Sequence, residues 1–512
     1  MALLLVTAAG CSGPQTGEGA ARRVLDEAAA AMGGWEALRN VGTQRIVSEG
    51  SDWEPVQAMY PGDSRHVSDF SITRTTDYEE EAIRMEFSGD LHYPRERSLS
   101  YAEVIAGDAG MREQADADGE VTQSRMHGSV YATRLRNLRR APVRVLLTAS
   151  EAQGLDRAPD EEESGGGRSI QVLRYQDAGQ TVELRIDAAT HLPASVTYLE
   201  DDVTFGDARN AFVWTDWRDV SGVMLPFSQD KNLNGQLIRQ ETIQEIENNP
   251  AVDTAVFAIP EQVRQVPETG ERMISQWPLR RVSMGVSYMF FTGPQDATLE
   301  EVAPGVWLAK GPGHQSLVVE MADHVMTFEA PLFEERSLEV IAAIKEKFPD
   351  KPIRYTMMTH YHQDHSGGIR TYAAEGSTII AHANIVPFVE GMLQAPKTIS
   401  PDSLFRMATQ PEFAMEGVES MKEYTDGSRV VQIYPISNPH VRDMLALYMP
   451  REGITLTADL VTGSFDPSNI EDRARAYYAF VKQEGLNVNR IVRVHGVPLS
   501  YREFAAVMEK AQ

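Results

Sequence analysis

The stretch that most constrains this chain is Thr359-His360-Tyr361-His362-Gln363-Asp364-His365-Ser366-Gly367-Gly368, which packs three histidines and one aspartate between positions 360 and 365. It follows an apolar run, Ile353 to Met358, that reads as a buried strand. At strand pitch His360 and His362 point the same way, so two imidazoles can grip one cation. The chain then turns, and Asp364 and His365 reach the adjoining space, where a second cation fits. Gly367 and Gly368 are expected to relieve the backbone where strand passes to helix.

One such cluster needs distant ligands to complete it, because catalytic zinc takes three protein ligands and keeps one place open. Three candidates follow in order. His440 lies just past the strand-like Val430 to Ile436, Asp459 ends the apolar run Ile454 to Ala458, and His495 follows Ile491 to Val494 and precedes Gly496. Each stands at the tip of an expected strand, where loops carry function.

Taken together, H-x-H-x-D-H, a single His, a single Asp and a final His-Gly resemble the metallo-β-lactamase superfamily over roughly Val302 to Met508. Gly313-His314-Gln315-Ser316, Glu329-Ala330-Pro331-Leu332 and Tyr372-Ala373-Ala374-Glu375-Gly376 narrow the likeness to a branch of hydrolases. The resemblance implies a four-layer αβ/βα sandwich with a binuclear site along one edge. It implies His360, His362 and His440 on one metal, Asp364, His365 and His495 on the other, and Asp459 bridging. Two Zn²⁺ are the expected ions, with Fe or Mn also suited to a mixed nitrogen and oxygen shell. Two cations about 3.5–4 Å apart make a shared water a nucleophile near neutrality. Asp364 would orient that water and relay its proton.

The implied activity is hydrolysis of an ester, thioester, lactone or related bond in a small-molecule substrate. Asp459 as bridge resembles thioesterases, lactonases and phosphodiesterases of the superfamily. An iron-dependent sulfur dioxygenase shares H-x-H-x-D-H and stays as an alternative, as does a carrier of apolar ligands with a non-catalytic metal domain. The interval from His365 to His440 leaves no room for the insertion found in nucleases of this superfamily. Glu329 stands where relatives usually carry Asp, so its longer side chain alters the hydrogen bonds that support the metal loop. His314 and His382, near expected strand ends, are candidates to support the site or touch substrate. Tyr361 and Tyr448 are candidate oxyanion donors. His66, His92, His127, His191 and His324 have no partner pattern.

The length of 512 residues suggests two or three domains, and 42% apolar residues suffice for real cores. A net charge of −26 argues against a nucleic-acid surface, which needs clustered Lys and Arg. The lone cysteine, Cys11, excludes an intrachain disulfide; it follows Leu3 to Gly10 in a pattern that resembles a bacterial lipoprotein signal, without a basic residue before it. That reading makes Cys11 a lipidation site, residues 1–19 a signal and tether, and the bacterial envelope the location, facing the periplasm; otherwise the chain is secreted or cytoplasmic. The lipid would be its sole membrane attachment.

Arg22 to Asn40 reads as a helix interrupted at Gly33-Gly34, with Val24, Leu25, Ala28 and Ala29 inward. Residues 20–260 then show short alternating strands, which predict one large antiparallel, curved sheet, with an inserted helix over Arg134 to Ala149. Asp187 to Pro193 and Asp216 to Pro226 resemble the strand–turn–strand segments of periplasmic lipoprotein carriers, which implies a concave face able to hold an apolar ligand. Asp160 to Gly167 reads as a solvated loop. Residues 261–283 form a linker, and 284–512 the catalytic domain, where Met284 to Phe291 packs in the core or walls the pocket. A helix is expected over Glu334 to Phe348, with Leu338, Ile341, Ile344 and Lys345 marking its faces.

Overall fold

In the computed structural model of the chain, the described residues are 16–115, 119–162, 167–268, 279–280, 295–311, 313–407, 409, 413–462 and 465–510. Cys11, residues 269–278 and 281–283 of the expected linker, and Met284 to Phe291 lie outside them. Among the described residues no helix is long and apolar enough to cross a membrane.

The chain divides into two compact units. The first comprises Met1–Asp52, Val67–Leu199 and Arg209–Ile274, and the second Trp53–His66, Glu200–Ala208 and Ser275–Gln512. The first is built on a 14-stranded sheet whose strands follow one another as antiparallel hairpins. Its first and last long strands, Thr43–Glu54 and Gln236–Asn248, pair at the middle and join the two halves.

Alternation explains the sheet. In Gln180–Asp187, Val182 and Leu184 are fully buried, and they face Tyr198 and Val196 on the neighbouring strand, also buried. The Asp216 to Pro226 segment turns at Ser221-Gly222, both at positive φ, as two-residue hairpins require. In the Asp187 to Pro193 turn, the Asp187 carboxylate accepts from the amides of Ala189 and Thr190 at 2.8 Å each.

Two helix expectations need correction. The first helix runs Glu18–Ala31, so it begins inside the expected tether, and a second spans Trp35–Arg39 after the glycine pair. Its buried face does include Val24, Leu25, Ala28 and Ala29. The expected Arg134 to Ala149 helix is two helices, Gly128–Arg139 and Pro142–Glu151, because Pro142 cannot continue a helix but suits a first turn. In the acidic loop, Glu161–Glu162 forms a short strand against Ser169 and Ile170.

The second unit holds two sheets. A seven-stranded sheet runs from Thr298–Ala303 to Met415–Val418, with its last four strands parallel. A six-stranded sheet runs from Lys422–Thr425 to Leu499–Ser500. One apolar core takes residues from both, among them Leu317, Phe328 and Ile380 from the first and Ile433, Leu447 and Val492 from the second. The helix Glu334–Lys347 buries Ser337, Val340, Ile341 and Ile344, whereas Leu338 is 40% exposed, one position off the inward stripe.

Candidate metal centre

The candidate ligands all follow strands of the second unit. His360 to His365 come after Ile353–Met357, His440 after Val430–Ile436, Asp459 after Ile454–Thr457 and His495 after Arg490–Arg493. Strand pitch does not align His360 with His362, as the strand has already ended at Met357 and helix begins only at Gln363. An irregular turn brings the rings together, with centroids 4.5 Å apart. Main-chain bonds lock this turn: Ala330 N donates to His365 O at 3.1 Å, Leu445 N to Thr359 O at 2.8 Å, and Gly368 N to Ala330 O at 2.9 Å.

The glycine pair serves packing rather than backbone freedom. Neither Gly367 nor Gly368 has positive φ. A Cβ on Gly367 would lie 2.0 Å from Leu332 O and 2.8 Å from Gln363 O, both main-chain atoms. Gly367→Ala should therefore destabilise the protein by about 1–3 kcal/mol, the usual cost of overpacking. An unchanged midpoint in denaturant unfolding would refute this reading of the turn.

Two groups of side chains converge. The ligand atoms of His360, His362, His440 and Asp459 lie within 4.8 Å of one another, and so do those of Asp364, His365, Asp459 and His495. Asp459 belongs to both: Oδ2 is 2.8 Å from His440 Nε2, 3.3 Å from His365 Nε2 and 3.7 Å from His360 Nε2, while Oδ1 is 2.8 Å from His495 Nε2. His360, His362 and His365 are wholly buried; His495 is partly exposed and marks the open side.

The far nitrogen of several rings is held, which aims the near one. His360 Nδ1 pairs with Thr359 Oγ1 at 3.0 Å, His365 Nδ1 with Glu329 Oε2, and His495 Nδ1 with the Gly313 carbonyl at 3.3 Å. Glu329 also accepts from Thr359 N at 2.8 Å, so its longer side chain spans both. It does so from φ 76°, an uncommon conformation for a residue with a Cβ.

These surroundings set the charges. Burial, then the neighbouring imidazoles, push His360 well below the usual histidine range, and burial with His440 does the same to His362. Burial would lower His365 too, but the carboxylates of Asp459, Glu329 and Asp364 outweigh it and hold it well above. Asp459 is held well below the usual carboxylate range: burial opposes this, and His365, His495 and His440 prevail. At His360 and His362, beside the charged Asp459, the imidazoles are in the neutral form that binds metal. His360 Nε2 and His362 Nδ1 are buried with no hydrogen-bond partner among the described residues, and a buried ring nitrogen in that state calls for a ligand. The donor set therefore fits metal ions.

Residues 309–495 match the family model of the metallo-beta-lactamase superfamily. The chain carries a metallo-beta-lactamase superfamily domain. It is similar to 2,4-dinitroanisole O-demethylase subunit alpha from Nocardioides sp. (strain JS1661), 25% identical over 169 residues, which cover 32% of this chain and 46% of that protein. The chain thus spans about half the length of the curated relative it matches. Among solved structures it is similar to a metallo-beta-lactamase from Pontibacter korlensis (14% identical, 42% of this chain and 98% of that one, TM-score 0.33). It is also similar to the metallo-beta-lactamase FIM-1 from Pseudomonas aeruginosa in its mono-zinc form (20% identical, 43% and 98%, TM-score 0.31).

Within the metallo-beta-lactamase domain the remaining candidates separate. His314 stands at the second group, its Nε2 3.6 Å from Asp364 Oδ2 and its ring 4.5 Å from that of His495; burial and His495 push it down to about 4. His382 joins neither group. It lies 3.5 Å from Asp443 and lines a cavity with Ile436, Asp443 and Phe480. Tyr361 donates to the Ala58 carbonyl at 2.7 Å and Tyr448 to the Asn487 carbonyl at 3.3 Å, so both hydroxyls are engaged with main chain. Sequence reasoning missed Gln57, Ala58 and Arg65, which belong to the same unit and touch ligand residues. Nothing in Trp53 to His66 carries a motif; only Pro55 and Pro61-Gly62 mark it as a break between strands.

Proposed function

We propose that this domain is a binuclear, zinc-dependent hydrolase of a small-molecule ester, thioester, lactone or related bond. What supports this most is that two groups of buried ligands share one carboxylate, Asp459. A bound pair of cations would supply an acidified water and a Lewis acid for the scissile carbonyl. His360, His362, His440 and Asp459 would hold one ion, and Asp364, His365, Asp459 and His495 the other. Asp364 Oδ2, which faces the cluster, is the acceptor for the proton of the attacking water. Burial of His360, His362, His365 and His440 limits access of bulk water, and substrate would enter beside the partly exposed His495.

The test is metal analysis of protein purified without added metal, paired with a hydrolysis screen over lactones, thioesters, β-lactams and phosphodiesters. The name of the Nocardioides relative adds O-methyl compounds to that screen. About two Zn per chain, with activity lost to a chelator and restored by Zn²⁺, supports the proposal. A single Fe per chain, with no hydrolysis of any substrate, would replace it with the sulfur-dioxygenase reading.

A further inference from the structure

The unit that holds the ligand residues also includes Trp53–His66, the connection between the strands Thr43–Glu54 and Arg65–Asp77. Three of its residues are more deeply buried than a surface loop requires: Val56, Gln57 and Ala58 are 2% exposed or less. Hydrogen bonds of Gln57, Ala58 and Arg65 fall on or next to ligand residues.

The Ala58 carbonyl lies 2.9 Å from His362 Nε2. A carbonyl can only accept, so Nε2 carries the proton and the lone pair is left on Nδ1, the nitrogen that has no partner. The backbone of residue 58 thus selects the tautomer that can bind metal. Gln57 Nε2 donates to Asp364 Oδ1 at 2.5 Å. The other oxygen, Oδ2, stands 3.6 Å from His314 Nε2 and 3.7 Å from His365 Nε2, on the side of the second group. Gln57 thereby fixes which carboxylate oxygen faces the centre. A neutral amide does this without cancelling the charge that attracts a cation, as a lysine would. Arg65 donates to the His440 carbonyl at 2.9 Å, and Arg442 N donates to Met59 O at 3.1 Å, which ties the His440 loop to the same segment.

The segment is pinned independently of any ion. Glu54, at its start, accepts from Arg280 Nε at 3.0 Å, and Arg280 reaches Asp202 at 2.9 Å, all three side chains buried. Lys397 pairs with the neighbouring Asp201. Buried, hydrogen-bonded pairs of this kind tolerate little displacement, since breaking one leaves an uncompensated charge.

We propose, resting on the binuclear reading above, that Gln57, Ala58 and Arg65 are positioning residues of the metal centre. In this arrangement a connection between two early strands supplies outer support to the metal centre. Gln57 acts on the ion held by Asp364, and Arg65 on the ion held by His440.

The test is a zinc titration of the full-length, metal-free protein against a chromophoric chelator, for wild type, Gln57→Met, Arg65→Met and His360→Ala. Methionine keeps the length of glutamine and the aliphatic stem of arginine, and removes the donor in both. Gln57→Met should weaken one of the two binding steps by about 10–100-fold and leave the other unchanged. Arg65→Met should weaken the opposite step. The thermal midpoint of each metal-free variant should stay near wild type, which a general packing defect would not allow. If both methionine variants bind two ions as tightly as wild type while His360→Ala loses one, the proposal is overturned and the binuclear reading stands. If wild type takes up fewer than two ions, or His360→Ala still binds two at wild-type affinity, the binuclear reading itself fails and this proposal goes with it.

Discussion

Asp459→Ala is expected to release both bound ions and leave no measurable hydrolysis, a larger effect than the loss of any single histidine. Asp459 is the one residue common to the two ligand groups, with Oδ2 directed to His440, His365 and His360 and Oδ1 to His495. Its removal leaves five imidazoles and Asp364 around a largely buried space with one anion fewer. The electrostatic consequence is as large as the geometric one. Asp459 is the foremost carboxylate raising His365 against burial, so without it that imidazole loses its proton more readily, although Glu329 and Asp364 remain. Asp459→Asn keeps the shape and removes the charge, and should also fail to hold two ions. Metal content after dialysis, with circular dichroism to verify folding, reads both variants. Two retained ions in a folded Asp459→Ala protein would break the assignment of this residue as a shared ligand.

The candidate ligand residues are legible in the sequence because their chemistry is local to each strand end. A histidine or aspartate just after an apolar run is visible without knowing what lies opposite, and His360, Asp459 and His495 are all of this kind. The way they are presented was less visible. Alternation suggested that His360 and His362 extend from a strand, yet the strand stops at Met357, and main-chain bonds to Ala330 and Leu445 shape the turn. Those partners are distant in sequence, and no side-chain pattern encodes them. The same limit hides Trp53–His66: the carbonyl of Ala58, which meets His362, is an atom that any residue would provide. Long alternating runs such as Gln180–Asp187 declare the antiparallel sheet, and Pro142 marks the split between two helices. His382 is a candidate by its place near a strand end alone, yet its strand lies one place beyond the one leading to His360 and it joins neither ligand group.

Glu329→Gln should weaken zinc binding by about 10–100-fold at the ion held by His365, with little change in the stability of the metal-free protein. The carboxylate is fully buried and both oxygens are used: Oε1 accepts from Thr359 N and Oε2 pairs with His365 Nδ1. A glutamine can still accept from Thr359 through its carbonyl oxygen. Its amide nitrogen then faces His365 Nδ1 as a donor, so Nδ1 must accept and the ring proton moves to Nε2. That proton would point at Asp459 and His495, where the lone pair for a cation is needed. Glu329→Leu removes both acceptors, leaving the buried Thr359 amide without its partner, so it should lose the same affinity and also about 1–3 kcal/mol of stability. The pair of variants separates the two duties of the side chain, one electronic and one structural. Zinc affinity of Glu329→Gln equal to wild type would mean that His365 keeps its tautomer without the carboxylate, and the orienting role given to Glu329 would then be wrong. Stability of Glu329→Leu equal to wild type would show that Thr359 N finds another acceptor.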